Sequence, residues 1–330
     1  MKFLVIRFSS IGDIVLATPA IRCLKKRYPD SEVHFLTKMK MKAVTEANPY
    51  IDKFHYLDGD FKQMAADLKT ENFDYIIDLH KNLRTLRLRF VLKAKWYSYQ
   101  KLSIQKFLLT KFHWDLMPST HITTRSLNTL LPLDVKDDGQ GLDYFIGEKD
   151  RVDIKSLPEF LQSGYGAIVI GASYYTKKLP PEKLIELVNR LDCPLILMGG
   201  PEDKVIGEKI IQATNNTSAW NGCGVFSLNG SADLIRQAAW VISHDTGLQY
   251  IACAFNKRVM AVWGGTSPKL AVEPYYGTAN PSNYRNYIVP GLSCQPCSNF
   301  GLKKCPKGHF KCMRLQDIEA IVQDTLKGYC

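Results

Sequence analysis

The sequence predicts an α/β protein built from two domains in tandem, each a parallel sheet covered by helices on both faces. Three observations carry that expectation. Short, apolar, β-rich runs alternate with helical stretches along the chain. The first run ends in a small-residue turn that opens a helix, and the second half repeats this logic. Runs such as 165–171 are apolar throughout, as expected of strands buried on both faces.

The elements follow in order. KFLVIRF at 2–8 predicts the first strand, Ser9 to Gly12 a tight turn, and 13–28 a helix. In that helix Ile14, Ala17, Ile21 and Leu24 recur at helical spacing, and Lys25, Lys26 and Arg27 suit the negative end of its dipole. Strands are expected at 32–37, 54–57 and 75–79, then a helix at 81–92, a short strand at 95–99 and a helix at 103–112. Ile104, Phe107, Leu108 and Phe112 line one side of the last helix, a stripe suited to core packing or to a membrane surface. Weak periodicity over 134–164 marks the connection, so domains are expected at 1–155 and 156–330. In the second half strands are expected at 165–171, 194–198, 240–243 and 259–263, with helices at 181–191, 227–239 and 245–255. Folds of this kind bind ligands at strand carboxyl ends and in clefts at domain junctions.

Composition narrows the function classes. The 330 residues are 45% hydrophobic and 23% charged, which excludes a disordered or fibrous chain. No uncharged apolar run approaches the roughly 20 residues that span a bilayer. The apolar start is too short for a signal peptide and is interrupted by Arg7 and Asp13, so a cytoplasmic location is expected. The net charge is +11, and residues 81–125 hold ten Lys or Arg against one acid, Asp115. Such a stretch is either a solvated basic face or an attractor of nucleic acid, an anionic membrane surface or a phosphorylated substrate.

Of nine cysteines, Cys23, Cys193, Cys223 and Cys253 sit in apolar patterns as small core residues, and Cys330 is terminal. Cys294, Cys297, Cys305 and Cys312 cluster, with His309 between the last two. Cys-x2-Cys is a frequent chelate, but the next spacings, seven residues and then six, do not match a zinc ribbon. Structural zinc and reduced structural thiols both fit. A disulfide framework does not suit a chain with no secretion signal.

Five loops carry candidate chemistry. Asp13 opens the first helix, where a carboxylate either caps the helix or faces a ligand. The turn lacks G-x-G-x-x-G, so the nicotinamide fingerprint is absent. Asp245-Thr246-Gly247 lies between a strand and a helix, where backbone N–H groups favour an anion. Gly264-Gly265-Thr266-Ser267-Pro268 ends the next strand, and two adjacent turns of this kind suit a diphosphate. Lys177, in the loop after 165–171, is either a solvated lysine or a point charge on a phosphate. Glu202 ends the following strand, where a carboxylate accepts bonds from ribose hydroxyls or is merely exposed.

Taken together the segments KFLVIRFSSIGDIVLATPAIRCLKKRYPDSEVHFLT, SHDTGLQYIACAFNKRVMAVWGGTSP and CQPCSNFGLKKCPKGHFKCM resemble glycosyltransferase family 9, the lipopolysaccharide heptosyltransferases and their relatives. The resemblance implies a GT-B architecture, two Rossmann-like domains with a cleft between them. The N-terminal domain would bind the acceptor, and the C-terminal one a nucleotide-sugar, ADP-heptose in most of the family. It implies inverting transfer with no metal or other cofactor required for catalysis. Asp13 matches the general base. Lys177, Glu202, Phe226, Asp245, Thr246 and Gly247 match donor-binding positions, Phe226 at the adenine. Ser10, Gly12, Lys81, Arg84 and Arg87 fall on the acceptor side, where the basic segment would hold an anionic, lipid-linked glycan. Such an acceptor implies peripheral contact with the cytoplasmic face of the inner membrane. One departure stands out: the family turn D-[ST]-G-x-x-H has Tyr250 in place of its histidine, and a phenol carries no positive charge at pH 7.

Two other readings arise from the same residues. One is a GT-B transferase using a different nucleotide-sugar, the other a degenerate member that binds glycan or lipid without turnover. Nucleic-acid binding through Trp96, Tyr97 and Tyr99 leaves the donor-site segments unexplained and is set aside.

Overall fold

The computed structural model describes residues 1–278 and 283–327; Cys330 lies outside the described residues. The chain divides into two compact units. The first is Met1–Leu102 with Thr120–Phe145 and a short return at Gly277. The second is Ser103–Ser119, Ile146–Tyr276 and the C-terminal segment.

Each unit is built on an all-parallel sheet. In the first, β1 (Lys2–Ile6), β2 (Glu32–Lys38), β3 (Lys53–Leu57), β4 (Tyr75–Asp78) and β5 (Lys95–Ser98) lie in the order β3-β2-β1-β4-β5. The central strand pairs Phe3 with Val33 on one side and with Tyr75 on the other, and Phe3 to Ile6 are fully buried. In the second unit β6 (Gly166–Val169), β7 (Leu195–Met198), β8 (Ala219–Asn221), β9 (Trp240–His244), β10 (Arg258–Val262) and β11 (Tyr284–Tyr287) take the order β11-β10-β9-β6-β7-β8. Strand order reverses between β1 and β4 in the first sheet and between β6 and β9 in the second. At such points the loops leave in opposite directions and open a crevice beyond the strand ends. Each unit is thus Rossmann-like, as the expected GT-B fold requires.

Three expectations need correction. The helix expected over 13–28 is two helices, Ile11–Val15 and Thr18–Arg27. Pro19 has no N–H to give, and its ring would meet the carbonyl of Val15, so the first helix cannot run on. The Thr18 hydroxyl donates to that carbonyl instead, at 2.7 Å. Passage between the units falls at Phe145–Ile146 rather than at 155–156. Residues just after it are tied to the second unit: Asp233 accepts from the Arg151 guanidinium at 3.1 Å and from the Val152 amide at 3.0 Å. The helix Ser103–Phe112, expected with the first domain, groups with the second, and Asp115 beyond it pairs with Lys269 at 3.3 Å.

Candidate active site

The first candidate site lies beyond the carboxyl ends of β1 and β4. After β1 the chain passes Arg7 and Ser10 into the helix Ile11–Val15, whose third residue is Asp13. Ser10 donates to Asp13 Oδ2 from both its amide and its hydroxyl, each at 2.9 Å. Asp13 therefore does cap its helix. Its other oxygen, Oδ1, lies 2.6 Å from Arg7 Nη2. Arg7 is buried, donates from Nη1 to the Leu79 carbonyl, and has the Tyr99 ring 5.6 Å from its guanidinium carbon. Burial opposes the Arg7 charge, but Asp13 and Tyr99 outweigh it and hold the guanidinium above its usual value. One arginine thus joins the loop after β1 to the loop after β4 and orients the carboxylate.

The loop after β4 is organised by Asp78, which accepts from the amides of His80 at 3.0 Å and Lys81 at 2.7 Å. Asn82 then caps the helix Leu83–Val91 by accepting from Arg84 N and Thr85 N. His80 is pushed down to about 4 by burial and by the charges of Arg7 and Lys101, so its ring is neutral at pH 7. Burial and the Arg7 charge also lower Lys101. Lys81 and Arg84 are exposed where the loop enters the helix, and Arg87 lies one turn further on, its guanidinium carbon 4.6 Å from the Phe61 ring centre. Of the acceptor-side residues expected from sequence, Ser10, Gly12, Lys81 and Arg84 border these two loops, whereas Arg87 is turned onto Phe61. Sequence reading missed Arg7, His80 and Lys101. A lone arginine directly after the apolar run at 3–6 is the trace of Arg7.

The second candidate site lies beyond β6, β7, β8 and β9. Lys177, in the loop after β6, places Nζ 2.7 Å from Asp245 Oδ2 after β9; both side chains are largely buried, at 14% and 10% exposure. Thr246 precedes the helix Gly247–Ala254, whose first amides face the same end of the sheet. Glu202 is exposed in the turn after β7. Phe226, after β8, is half-buried and packs edge-on against Trp220, ring centres 6.2 Å apart.

The Tyr250 hydroxyl is turned onto protein groups. The residue is buried, and its OH lies 3.1 Å from Asp245 Oδ1 and 2.6 Å from the Val272 carbonyl. The sequence reading sets Tyr250 among the donor-binding residues; here its hydroxyl is engaged by Asp245 and the Val272 carbonyl. His244 faces elsewhere: Nε2 accepts from Leu179 N at 2.9 Å, and burial, then the charges of Lys178 and Lys177, push the ring down to about 3.

The cysteine segment is stitched to the loops after β6 and β10. Gly265 N donates to Thr176 O at 2.7 Å, and Cys297 N donates to Gly265 O at 3.0 Å. Leu302 N donates to the Thr176 hydroxyl at 2.8 Å. The Gln295 amide reaches the carbonyls of Trp263, Gly264 and Thr266. Gly264 and Gly265 permit this contact: a Cβ on Gly264 would sit 2.2 Å from Thr176 O, and one on Gly265 2.7 Å from the Thr176 hydroxyl. Cys294, Cys297, Cys305, Cys312 and His309 line one cavity of about 10 Å³, with Cys294 Sγ 3.8 Å from His309 Nε2. Burial and the neighbouring sulfurs raise the Cys297 thiol and push that of Cys312 up to about 12. These soft donors are of the kind that zinc takes, but no three of them lie within 4.8 Å of one another. Among the described residues, the sets of three ligand groups that close to within 4.8 Å are elsewhere, at His34, His55 and Glu71 and at Cys23, Asp137 and Asp138.

Residues 62–299 match the model of glycosyltransferase family 9 (heptosyltransferase). Lipopolysaccharide heptosyltransferase 1 of Campylobacter coli is 22% identical over 322 residues, covering 88% of this chain and 90% of that protein. The solved structure of E. coli ADP-heptose lps heptosyltransferase II superposes with a TM-score of 0.72 at 17% identity, covering 99% of this chain and 98% of that one. E. coli heptosyltransferase WaaC with ADP gives the same TM-score at 16% identity, covering 99% and 100%.

Proposed function

The chain belongs to glycosyltransferase family 9, the heptosyltransferases, and from that premise we propose that it transfers a heptose from ADP-heptose to an inner-core acceptor of lipopolysaccharide, with inversion and without a catalytic metal. The observation that carries this reading is the order of residues along the second sheet. Its strands run β8, β7, β6, β9, and their loops present Phe226, Glu202, Lys177 and then Asp245 to Gly247. That is the order base, ribose, diphosphate. Strands lie about 4.8 Å apart, so β8 to β6 spans about 10 Å, the scale of a nucleoside. Relatives that carry ADP-heptose or ADP in their names support adenine as the base.

In this reading Asp13 takes the proton of the attacking acceptor hydroxyl. A hydroxyl is a poor nucleophile at neutral pH, and its proton leaves as the anomeric carbon becomes oxocarbenium-like. Ser10 and Arg7 hold the carboxylate ionised and aimed, and the acceptor hydroxyl takes over the bond that the Ser10 side chain makes to Oδ2. Lys177 and the amides opening the helix Gly247–Ala254 stabilise the charge that builds on the departing ADP. Asp245, fixed by Tyr250, positions Lys177. Lys81 and Arg84 attract an anionic, lipid-linked glycan, which puts the chain at the cytoplasmic face of a membrane as a peripheral protein. Cys294, Cys297, Cys305 and Cys312 are the residues that would hold a structural zinc ion, which there would brace the donor loops.

Calorimetric titration with ADP-heptose, ADP, UDP and GDP tests the donor. Selective binding of the two adenine ligands, weakened at least about tenfold in Lys177→Ala, is the expected result. The buried phenol of Tyr250, where the family has a histidine, favours one alternative, a different nucleotide-sugar, and selective UDP or GDP binding would establish it.

A further inference from the structure

The helix Leu83–Val91 is amphipathic twice over. Thr85, Leu88 and Leu92 recur at helical spacing and are buried against the first sheet. On the opposite side Leu83, Leu86 and Phe90 recur at the same spacing and are 79%, 48% and 83% exposed in the complete chain. Arg84, Arg87, Arg89 and Lys93 flank this outer stripe, and no acid occurs between Asp78 and Asp115. A water-facing helix has no use for three large apolar side chains in line, and an isolated patch of this kind marks an interaction surface.

We propose that this outer face lies on an anionic phospholipid bilayer, with Leu83, Leu86 and Phe90 among the acyl chains and the basic side chains at the headgroups. The charge pattern selects that occupant. A lipid surface supplies apolar depth and negative charge together, and long basic side chains reach outward while their stems stay in apolar surroundings. A second copy of the chain fits worse, because a two-fold contact through this stripe would bring the arginines of both copies together. Nucleic acid has no partner for an aliphatic stripe. The proposal rests on the membrane contact named above, to which it gives residues, and is independent of the donor. The second unit has an exposed apolar segment of its own, with Ile104, Phe107, Phe112, Trp114 and Leu116 exposed and the Phe112 ring 5.9 Å from Phe107 and 5.6 Å from Trp114. It belongs to the other unit and is tested separately.

The test is co-sedimentation of the full chain with phosphatidylcholine vesicles and with vesicles containing phosphatidylglycerol. The variants are Leu86→Ser/Phe90→Ser, Arg89→Glu/Lys93→Glu and, for the second segment, Phe107→Ser/Trp114→Ser. Binding to the phosphatidylglycerol vesicles, weakened by salt and reduced about tenfold or more in each of the first two variants, is the expected result. All substituted side chains are exposed, and ADP binding to the same preparations reports that the chain is folded. Loss of ADP binding in the wild-type chain would count against the donor reading alone. Absent vesicle binding, or binding that only Phe107→Ser/Trp114→Ser removes, overturns the assignment to this helix. A concentration-dependent dimer abolished by Leu86→Ser/Phe90→Ser would also overturn it, in favour of a second copy.

Discussion

Asp13 meets a buried guanidinium at one oxygen and two Ser10 donors at the other, so it is both a helix cap and a poised carboxylate. Sequence alone left those roles as alternatives because a cap residue and a catalytic base look the same in S-S-I-G-D. The structure adds Arg7, whose position three residues before Ser10 gives no hint that its side chain returns to Asp13. Removing that charge in Arg7→Met takes away the interaction that favours the ionised carboxylate. The acid limb of the pH–rate profile should then move to higher pH by about one unit or more. An unmoved limb would assign Arg7 to folding alone. Tyr250 shows a related limit. Its place in the motif is plain in the sequence, but its burial and its bond to Asp245 depend on how the helix Gly247–Ala254 packs.

At the level of elements, most strands were legible because parallel strands buried on both faces are short apolar runs. β8 and β11 were not, since Ala219–Asn221 is three residues and Tyr284–Tyr287 is half polar. The passage between the units is not legible for a similar reason: 146–155 lacks periodicity, and its bonds to Asp233, Asn229 and Gln237 join it to the second unit. The loops after β6 and β10 depend on an approach that no local pattern reveals, the passage of Thr176 against Gly264 and Gly265. In Gly264→Ala the new methyl would press on the Thr176 carbonyl, next to Lys177, and on Met313. Overpacking of this kind costs about 1–3 kcal/mol. A lower Tm together with ADP binding weakened about tenfold is expected, and a variant with wild-type affinity would separate the cysteine segment from the donor site.

Across the whole molecule, two sheets place their candidate residues at the point where strand order reverses, Asp13 and Lys81 in one, Lys177 and Asp245 in the other. Among the described residues no helix is long and apolar enough to cross a membrane. Three histidines are neutral, His244 buried and His55 and His80 half-buried. Burial and then neighbouring charge push His55 and His80 down to about 4 and His244 to about 3, against about 6.5 in an unfolded chain. Between pH 6.5 and 4 the unfolded chain therefore binds protons that the folded chain does not, and stability falls as pH falls. Above pH 6.5 these groups are neutral in both states and contribute no slope. Glu71, lowered to about 2 chiefly by Lys53 with Lys2 beside it, stays ionised through that window. Scanning calorimetry should show Tm declining from pH 6.5 to 4, less steeply in His55→Gln. A flat Tm would contradict this.

The central claim is that Asp13 deprotonates an acceptor hydroxyl while the second unit holds the nucleotide. Its most direct measurement is heptose transfer from ADP-heptose to a Kdo-bearing lipid A acceptor, run beside calorimetry of ADP-heptose, in the wild-type chain and in Asp13→Asn. Turnover reduced by about 10² to 10⁴ with donor affinity unchanged is the result required of a general base. Wild-type turnover in Asp13→Asn would leave the carboxylate as a helix cap and remove the mechanism.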